Sequence, residues 1–319
     1  MARMTTDRRT RAVASLRGLS VGDALGSQFF LPENRRALIT NELPRGDVWD
    51  WTDDAEMACS IFAVLDGHGS VDQDALAESL ALHHDFDRGY GPGVNRMLRL
   101  IRQEGGDWRE LSAAAFDGSG SWGNGSAMRI APLGVWFADD LDHVVEQATL
   151  AAEVTHRHPE GVAGSVAVAV AAALAAGASG TSGASGPSGG VEPELSGDEF
   201  LAQIEALTPA GLVRDGIGKA RAMLPVVTDP RTASASLGNG REVSCPDTVP
   251  FALWVAARHL DDFRGAFWAA AVVGGDVDTN CAIVGGIVAA RTGSGGIPAE
   301  WLARCEALPA WCGAEPLSP

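Results

Sequence analysis

Two short segments place oxygen-bearing side chains at the same kind of position. Trp51-Thr52-Asp53-Asp54 stands directly before an apolar helical pattern that begins near Ala55. Gly274-Gly275-Asp276-Val277-Asp278-Thr279 lies between two more such patterns, Phe263 to Val273 and Ala282 to Ala290. Each segment opens a helix with two aspartates and a threonine. Helix capping accounts for these residues by itself: Thr52 or Asp53 fits an N-cap, Asp53 with Glu56 fits a capping box, and the second segment fits a turn with a capping Asp. The likeness of the two segments supports another reading. Hard carboxylate and hydroxyl oxygens suit Mg²⁺, Mn²⁺ or Ca²⁺ rather than zinc. Four carboxylates brought together repel one another unless cations neutralise them. Two divalent cations would do so, and two-metal sites are a recurring catalytic device.

Three further segments carry polar groups in loop-like settings. Asp117 to Ser126 reads DGSGSWGNGS and runs into Ala-Met-Arg-Ile-Ala-Pro-Leu-Gly. Gly118, Gly120 and Gly123 formally match G-x-G-x-x-G, but Leu111 to Phe116 before them is helical in pattern, so the strand a dinucleotide fold requires is missing. A Gly/Ser/Asn loop that opens a helix can still cradle phosphate with backbone N–H groups, and a plain flexible loop fits the same residues. Thr155-His156-Arg157-His158-Pro159-Glu160 holds a His-x-His pair without a nearby third ligand, which suits structural or ligand-contacting histidines better than a metal site. Asp85 to Gly93 reads DFDRGYGPG, a shaped loop around the only tyrosine, Tyr90, with Asp87 as a candidate general base. His83 and His84 read as ordinary helix histidines. Neither a G-x-S-x-G elbow nor a P-loop occurs, and the one lysine, Lys219, has the wrong context for the latter.

The elements that must position these groups are helices. Leu16, Leu19, Ala24 and Leu25 follow a three-to-four spacing. So do Met57 to Leu65, Val94 to Ile101, Val144 to Ala152 and Phe251 to Ala256. Alternating β-branched runs are nearly absent, so an all-α fold is expected. Gly161 to Ala176 reads as a buried helix, short of the ~20 residues of a membrane span. Gly177 to Gly197 is a Gly/Ser tract with two prolines, read as a flexible insert within a single domain of residues 1–319, because candidate chemistry lies on both sides of it. Pro230 to Pro246 also reads as a loop.

Charge limits the partners. Lys and Arg number 24 against 41 Asp and Glu, so the net charge is 24 − 41 = −17. That argues against nucleic acid or an anionic membrane surface, and leaves room for a phosphate ligand if cations accompany it. The five cysteines are odd in number and lack C-x-x-C spacing, which suits a reducing compartment. No signal-type apolar stretch follows the basic residues Met1 to Arg11. A soluble, cytoplasmic monomer is expected.

In this order, Gly22-Asp-Ala-Leu-Gly26, Trp51-Thr-Asp-Asp54, Gly120-Ser-Trp-Gly-Asn-Gly125 with Met128-Arg-Ile-Ala-Pro132, Thr155-His156 and Gly274-Gly-Asp-Val-Asp-Thr279 resemble the motifs of the ADP-ribosylglycohydrolase family. That family includes arginine- and serine-specific ADP-ribosyl hydrolases and the enzyme that reactivates nitrogenase reductase. The resemblance implies a compact multi-helix fold with a binuclear Mg²⁺ or Mn²⁺ cleft. By motif, Thr52, Asp53, Asp54, Asp276, Asp278 and Thr279 look like the metal ligands, with Asp54 and Asp276 close to the chemistry. Gly120, Ser121, Trp122 and Gly123 match the loop for the diphosphate and adenosine of ADP-ribose, and Asn124 and His156 match further contacts; Tyr90, in the Asp85 to Gly93 loop, is a further candidate ligand contact. Asp87 is similar in placement to the acid–base residue of the nitrogenase-linked branch. The implied activity is metal-dependent cleavage of the N- or O-glycosidic bond between ADP-ribose and a protein or small-molecule acceptor. Hydrolysis of an acetylated or phosphorylated ADP-ribose derivative, or a non-catalytic ADP-ribose or nucleotide sensor, are the alternatives. Two positions depart from the family pattern. Phe30 stands where the serine-specific branch has a glutamate, with Glu33 three residues on, and Val277 replaces a threonine between the last ligands.

Overall fold

The computed structural model describes residues 2–179 and 195–314. Its helices are α1 (Ala2–Ser27), α2 (Arg35–Thr40), α3 (Asp53–His68), α4 (Gln73–His83), α5 (Pro92–Glu104), α6 (Trp108–Ala114), α7 (Ala131–Trp136) and α8 (Leu141–Glu153). They continue as α9 (Pro159–Ser179), α10 (Gly197–Leu207), α11 (Leu212–Met223), α12 (Pro230–Leu237), α13 (Cys245–Arg258), α14 (Phe263–Ala271), α15 (Val277–Thr292) and α16 (Ala299–Leu302). The described residues contain no strand. Two isolated bridges, Trp49 with Cys305 and Gly123 with Ser244, are their only extended pairings. The fold is all-α, as the helical periodicity requires.

One sequence feature sets the central contact. Gly18, Gly22 and Gly26 recur every four residues and so share a face of α1. α15 lies against that face, closer than side chains would permit. A Cβ at Gly22 would stand 2.1 Å from the Cys281 carbonyl oxygen, and one at Gly26 would stand 2.8 Å from Cα of Asp278. Ser15 Oγ seals the pair by donating to the Gly286 carbonyl at 2.8 Å. The alanine-rich α9 forms a second centre, packed by α7, α8, α13 and α15. By length and composition its Pro159–Gly177 stretch is apolar enough to cross a membrane, but 78% of that stretch is buried within the protein, as befits a core helix.

Two expectations need correction. The loop expected from Pro230 to Pro246 begins with a helix. Asp229 accepts from the N–H groups of Arg231 and Thr232, and Pro230 takes the first turn, so α12 runs to Leu237 before the chain opens into a loop. The two ends of the stretch 177–197, expected as a flexible insert, are helical. α9 continues through Ser179, and a Ser196–Glu199 capping box starts α10 at Gly197. Residues 180–194 lie outside the described residues.

Candidate metal centre and ligand loop

Asp23 follows Gly22, so the glycine contact that seats α1 on α15 also delivers this carboxylate to Asp278. One carboxylate oxygen each of Asp23, Asp54 and Asp278 lie within 4.8 Å of one another. Asp23 lies in the Gly22-Asp-Ala-Leu-Gly26 motif but was not among the ligands expected from sequence. Its oxygens accept from Thr52 N–H (2.8 Å), Thr52 Oγ1 (2.7 Å) and Ala55 N–H (3.0 Å). A residue of α1 therefore caps α3. This displaces the local caps: Thr52 makes no side-chain capping bond. Glu56 forms no capping box and instead accepts from Tyr90 Oη (2.6 Å) and Asp85 N–H (3.0 Å). At α15 the N-cap residue Asp276 also makes no capping bond. Neither N-cap side chain caps its own helix, so local capping does not account for the aspartates of either motif.

Their surroundings are unfavourable to negative charge. Asp54 Oδ1 is buried with no hydrogen-bond partner. Burial first, then Asp23 and Asp278, push the Asp54 carboxyl well above the usual range. Burial and Asp276 do the same to Asp278. Asp53 rises to about 8 through burial, Asp23 and Asp276. Asp23 rises to about 6 through burial, opposed by its bonds from Thr52 and Ala55. A crowded set of oxygen donors with an orphaned carboxylate oxygen fits a hard divalent cation.

The ligand loop is tied to this cluster by Asn124. Its Nδ2 donates to Asp276 Oδ2 (2.6 Å) and Thr248 Oγ1 (3.1 Å). The segment from Gly238 to Thr248 braces both sides. Cys245 donates its N–H to the Trp122 carbonyl (3.0 Å) and its thiol to the Gly123 carbonyl (3.1 Å). Asn239 offers its carbonyl to the Asp276 N–H (3.1 Å) and to Asn280 Nδ2 (2.7 Å). None of these bracing residues stood out in the sequence. The only local signal was the Ser244-Cys-Pro helix start.

Gly120 takes φ +77°, and a Cβ there would stand 2.6 Å from the His158 nitrogen, so the loop presses on the chain just before α9. The helix expected to follow the loop is a single 3₁₀ turn, Asn124–Ser126, with α7 starting only at Ala131. The loop therefore has no α-helix dipole directly behind it. Ser121 is buried and its Oγ accepts from Gly123 N–H (3.2 Å), while Trp122 is half-exposed, edge-on to His158. His156 is buried beneath, and burial with the nearby Arg129 charge drives its pKa down to about 3.

The Asp85–Tyr90 loop borders the cluster. A Cβ at Gly89 would lie 3.8 Å from Asp53 Oδ1. Arg88 holds the loop by pairing with both Glu306 oxygens (2.7 and 2.8 Å), donating to the Trp51 carbonyl (2.9 Å) and lying 3.6 Å over the Trp51 ring. Tyr90 is buried with its hydroxyl committed to Glu56, which gives it an anchoring part. Asp87 is exposed on the Phe86–Arg88 turn. Phe30 and Glu33 are exposed. Thr279 is buried beside Asp278, to whose Oδ1 it donates its N–H (2.8 Å).

The family model for ADP-ribosylglycohydrolase matches residues 4–317. ADP-ribosylhydrolase ARH3 of Gallus gallus is 28% identical over 92% of this chain and 88% of its own, and that of Homo sapiens 29% over 80% and 74%. ADP-ribosylarginine hydrolase Tri1 of Pseudomonas putida (strain GB-1) is 25% identical over 92% of this chain and 73% of its own. A solved structure described as an ADP-ribosylglycohydrolase-related protein complex shares the fold, with TM-score 0.67 and 24% identity over 97% of this chain and 96% of that one. A family match over nearly the whole chain, on an all-helical frame that gathers the aspartates of distant motifs, means that this protein belongs to the ADP-ribosylglycohydrolase family and is a glycosidic-bond hydrolase.

Proposed function

We propose that the protein releases ADP-ribose from a protein or small-molecule acceptor by cleaving the N- or O-glycosidic bond, with two divalent cations, Mg²⁺ or Mn²⁺, as cofactors. Thr52, Asp53, Asp54, Asp276, Asp278 and Thr279 would hold the cations, with Asp23 completing the carboxylate set. The observation that carries this reading is the meeting of Asp23, Asp54 and Asp278, with Asp54 Oδ1 left unpartnered. When bound, the cations would supply fixed positive charge able to polarise hydroxyl groups and water. The remaining work falls to side chains and backbone. The loop N–H groups of Ser121, Trp122 and Asn124 and the His156 ring hold the diphosphate, and the half-exposed Trp122 offers a face to the adenosine. Asp54 and Asp276 stabilise the positive charge that develops on the anomeric carbon as the acceptor departs. Asp87, on a loop anchored beside Asp53, passes a proton from water to the leaving group, and the water oxygen takes the acceptor's place on the anomeric carbon.

The test is release of free ADP-ribose from arginine-, serine- and nucleobase-linked substrates and from O-acetyl-ADP-ribose. Release is expected with Mg²⁺ or Mn²⁺, and not with a chelator or in Asp276→Ala. Phe30 predicts weak turnover of the serine-linked substrate, since phenylalanine cannot move a proton. Asp87→Asn keeps the shape and is expected to lower the rate on the best substrate by ~10²–10⁴-fold with cation binding unchanged. A rate within a few-fold of the parent protein would exclude Asp87. Binding of ADP-ribose without release from any substrate would favour the sensor reading.

A further inference from the structure

Arg129 is a buried guanidinium with no part in the chemistry above. Its Nη2 donates to the Ala151 carbonyl (3.0 Å) and to Thr155 Oγ1 (2.9 Å), and its Nη1 faces Met57 Sδ (3.7 Å). Among the described residues no carboxylate pairs with it. A guanidinium only donates, so its bond to Thr155 has a fixed direction. The Thr155 hydroxyl accepts there and keeps one proton to give. His156 Nδ1 stands 2.7 Å away, and it is the only other hydrogen-bond partner of that hydroxyl among the described residues.

We infer that Arg129 and Thr155 are positioning residues that fix the tautomer of His156: Thr155 donates to Nδ1, and the ring proton is held on Nε2, facing the ligand loop. The consequence depends on where Nε2 lies. A Cβ at Gly123 would stand 3.3 Å from it and one at Gly125 3.1 Å, so two glycines keep the space in front of this nitrogen clear of side chains. Nε2 has no hydrogen-bond partner among the described residues. The ring is neutral at ordinary pH, because burial and the Arg129 charge disfavour the imidazolium. A neutral imidazole has one donor and one acceptor nitrogen. Held in this tautomer, it presents an N–H to an anionic oxygen; in the other it would present a lone pair and repel one. The class of ligand this suits is a phosphate oxygen, which rests on the proposed reading of the Gly120–Gly125 loop as the diphosphate site.

The experiment uses the full chain labelled with ¹⁵N-histidine, without ligand. Long-range ¹H–¹⁵N correlation reads which ring nitrogen carries the proton, and His156→Gln assigns the signal. The parent protein is expected to show the proton on Nε2. Thr155→Val, which keeps the shape and removes the hydroxyl, is expected to move it wholly or partly to Nδ1, and Thr155→Ser to restore it. Calorimetry is expected to show ADP-ribose binding about tenfold weaker in Thr155→Val and near the parent value in Thr155→Ser. A proton on Nδ1 in the parent protein overturns the inference even if Thr155→Val fails to fold. So does a Thr155→Val protein that keeps the proton on Nε2. A tautomer that moves as expected supports the relay; if ADP-ribose affinity then stays unchanged, the diphosphate reading of the loop is what fails.

Discussion

Asp23 uses both of its carboxylate oxygens on the start of α3 and still lies among the carboxylates of Asp54 and Asp278. Asp23→Asn separates the two duties. An amide can keep one of the accepting positions but turns its NH₂ toward donors, so the metal-free protein should lose about 1–3 kcal/mol of stability. Thermal melts with and without cation check this, and the gain in melting temperature on adding Mn²⁺ should also shrink. Protonation gives a second test. The folded pKa values of Asp23, about 6, and Asp53, about 8, lie above the ordinary carboxylate value near 3.8. The folded metal-free protein thus binds more protons than the unfolded chain between these limits. Its stability is greatest at the acid side of that window and falls as pH rises through 6 to 8. Cation binding needs the charged carboxylates, so cation-loaded protein should respond in the opposite sense, gaining stability as pH rises. Melting temperatures across pH 5–9, with chelator and with Mn²⁺, read both slopes. Equal slopes in the two series would show that these carboxylates are not the cation ligands.

At the scale of elements, the face of α1 formed by Gly18, Gly22 and Gly26 determines how close Asp23 and Asp278 come. Gly22→Ala puts a methyl group into the Cys281 carbonyl and should cost about 1–3 kcal/mol by overpacking, with weaker cation binding because Asp23 and Asp278 move apart. Gly67 provides the contrast: nothing lies within 4 Å of a Cβ there, and Gly67→Ala should stabilise α3 by roughly 0.5–1 kcal/mol without touching cation affinity. Denaturant titration and calorimetry of both variants decide the point. Sequence reading located most of these elements, because apolar side chains three to four apart mark a buried helical face. It failed where the partner was remote. The Thr52 and Asp53 caps looked complete locally, yet Asp23, 29 positions from Thr52, supplies the capping oxygens. α12 was read as loop because its small polar residues hide the Asp229-Pro230 start.

At the scale of the molecule, Asp54 and Asp278, which the structure brings together with Asp23, are marked in the sequence by type and spacing, since both motifs open apolar helices. The Gly238–Thr248 brace is not, because Asn239 and Cys245 act through backbone groups and a thiol whose partners only the tertiary structure supplies. The α1–α15 contact has a kinetic consequence. Ser15 and Gly286 meet across 271 positions of chain. Loop closure over that distance has a large entropic cost before any contact compensates it, so such pairings form late. α1 and α3 can be helical early, yet Asp23 gains Asp278 as a neighbour only when α15 docks. In refolding from denaturant, helical circular dichroism should therefore recover before Mn²⁺ binding does, with binding following the slowest phase. The aspartates would then stay apart, hydrated and unable to trap a cation until nearly all of the chain is in place, so the ion meets a finished pocket rather than templating one.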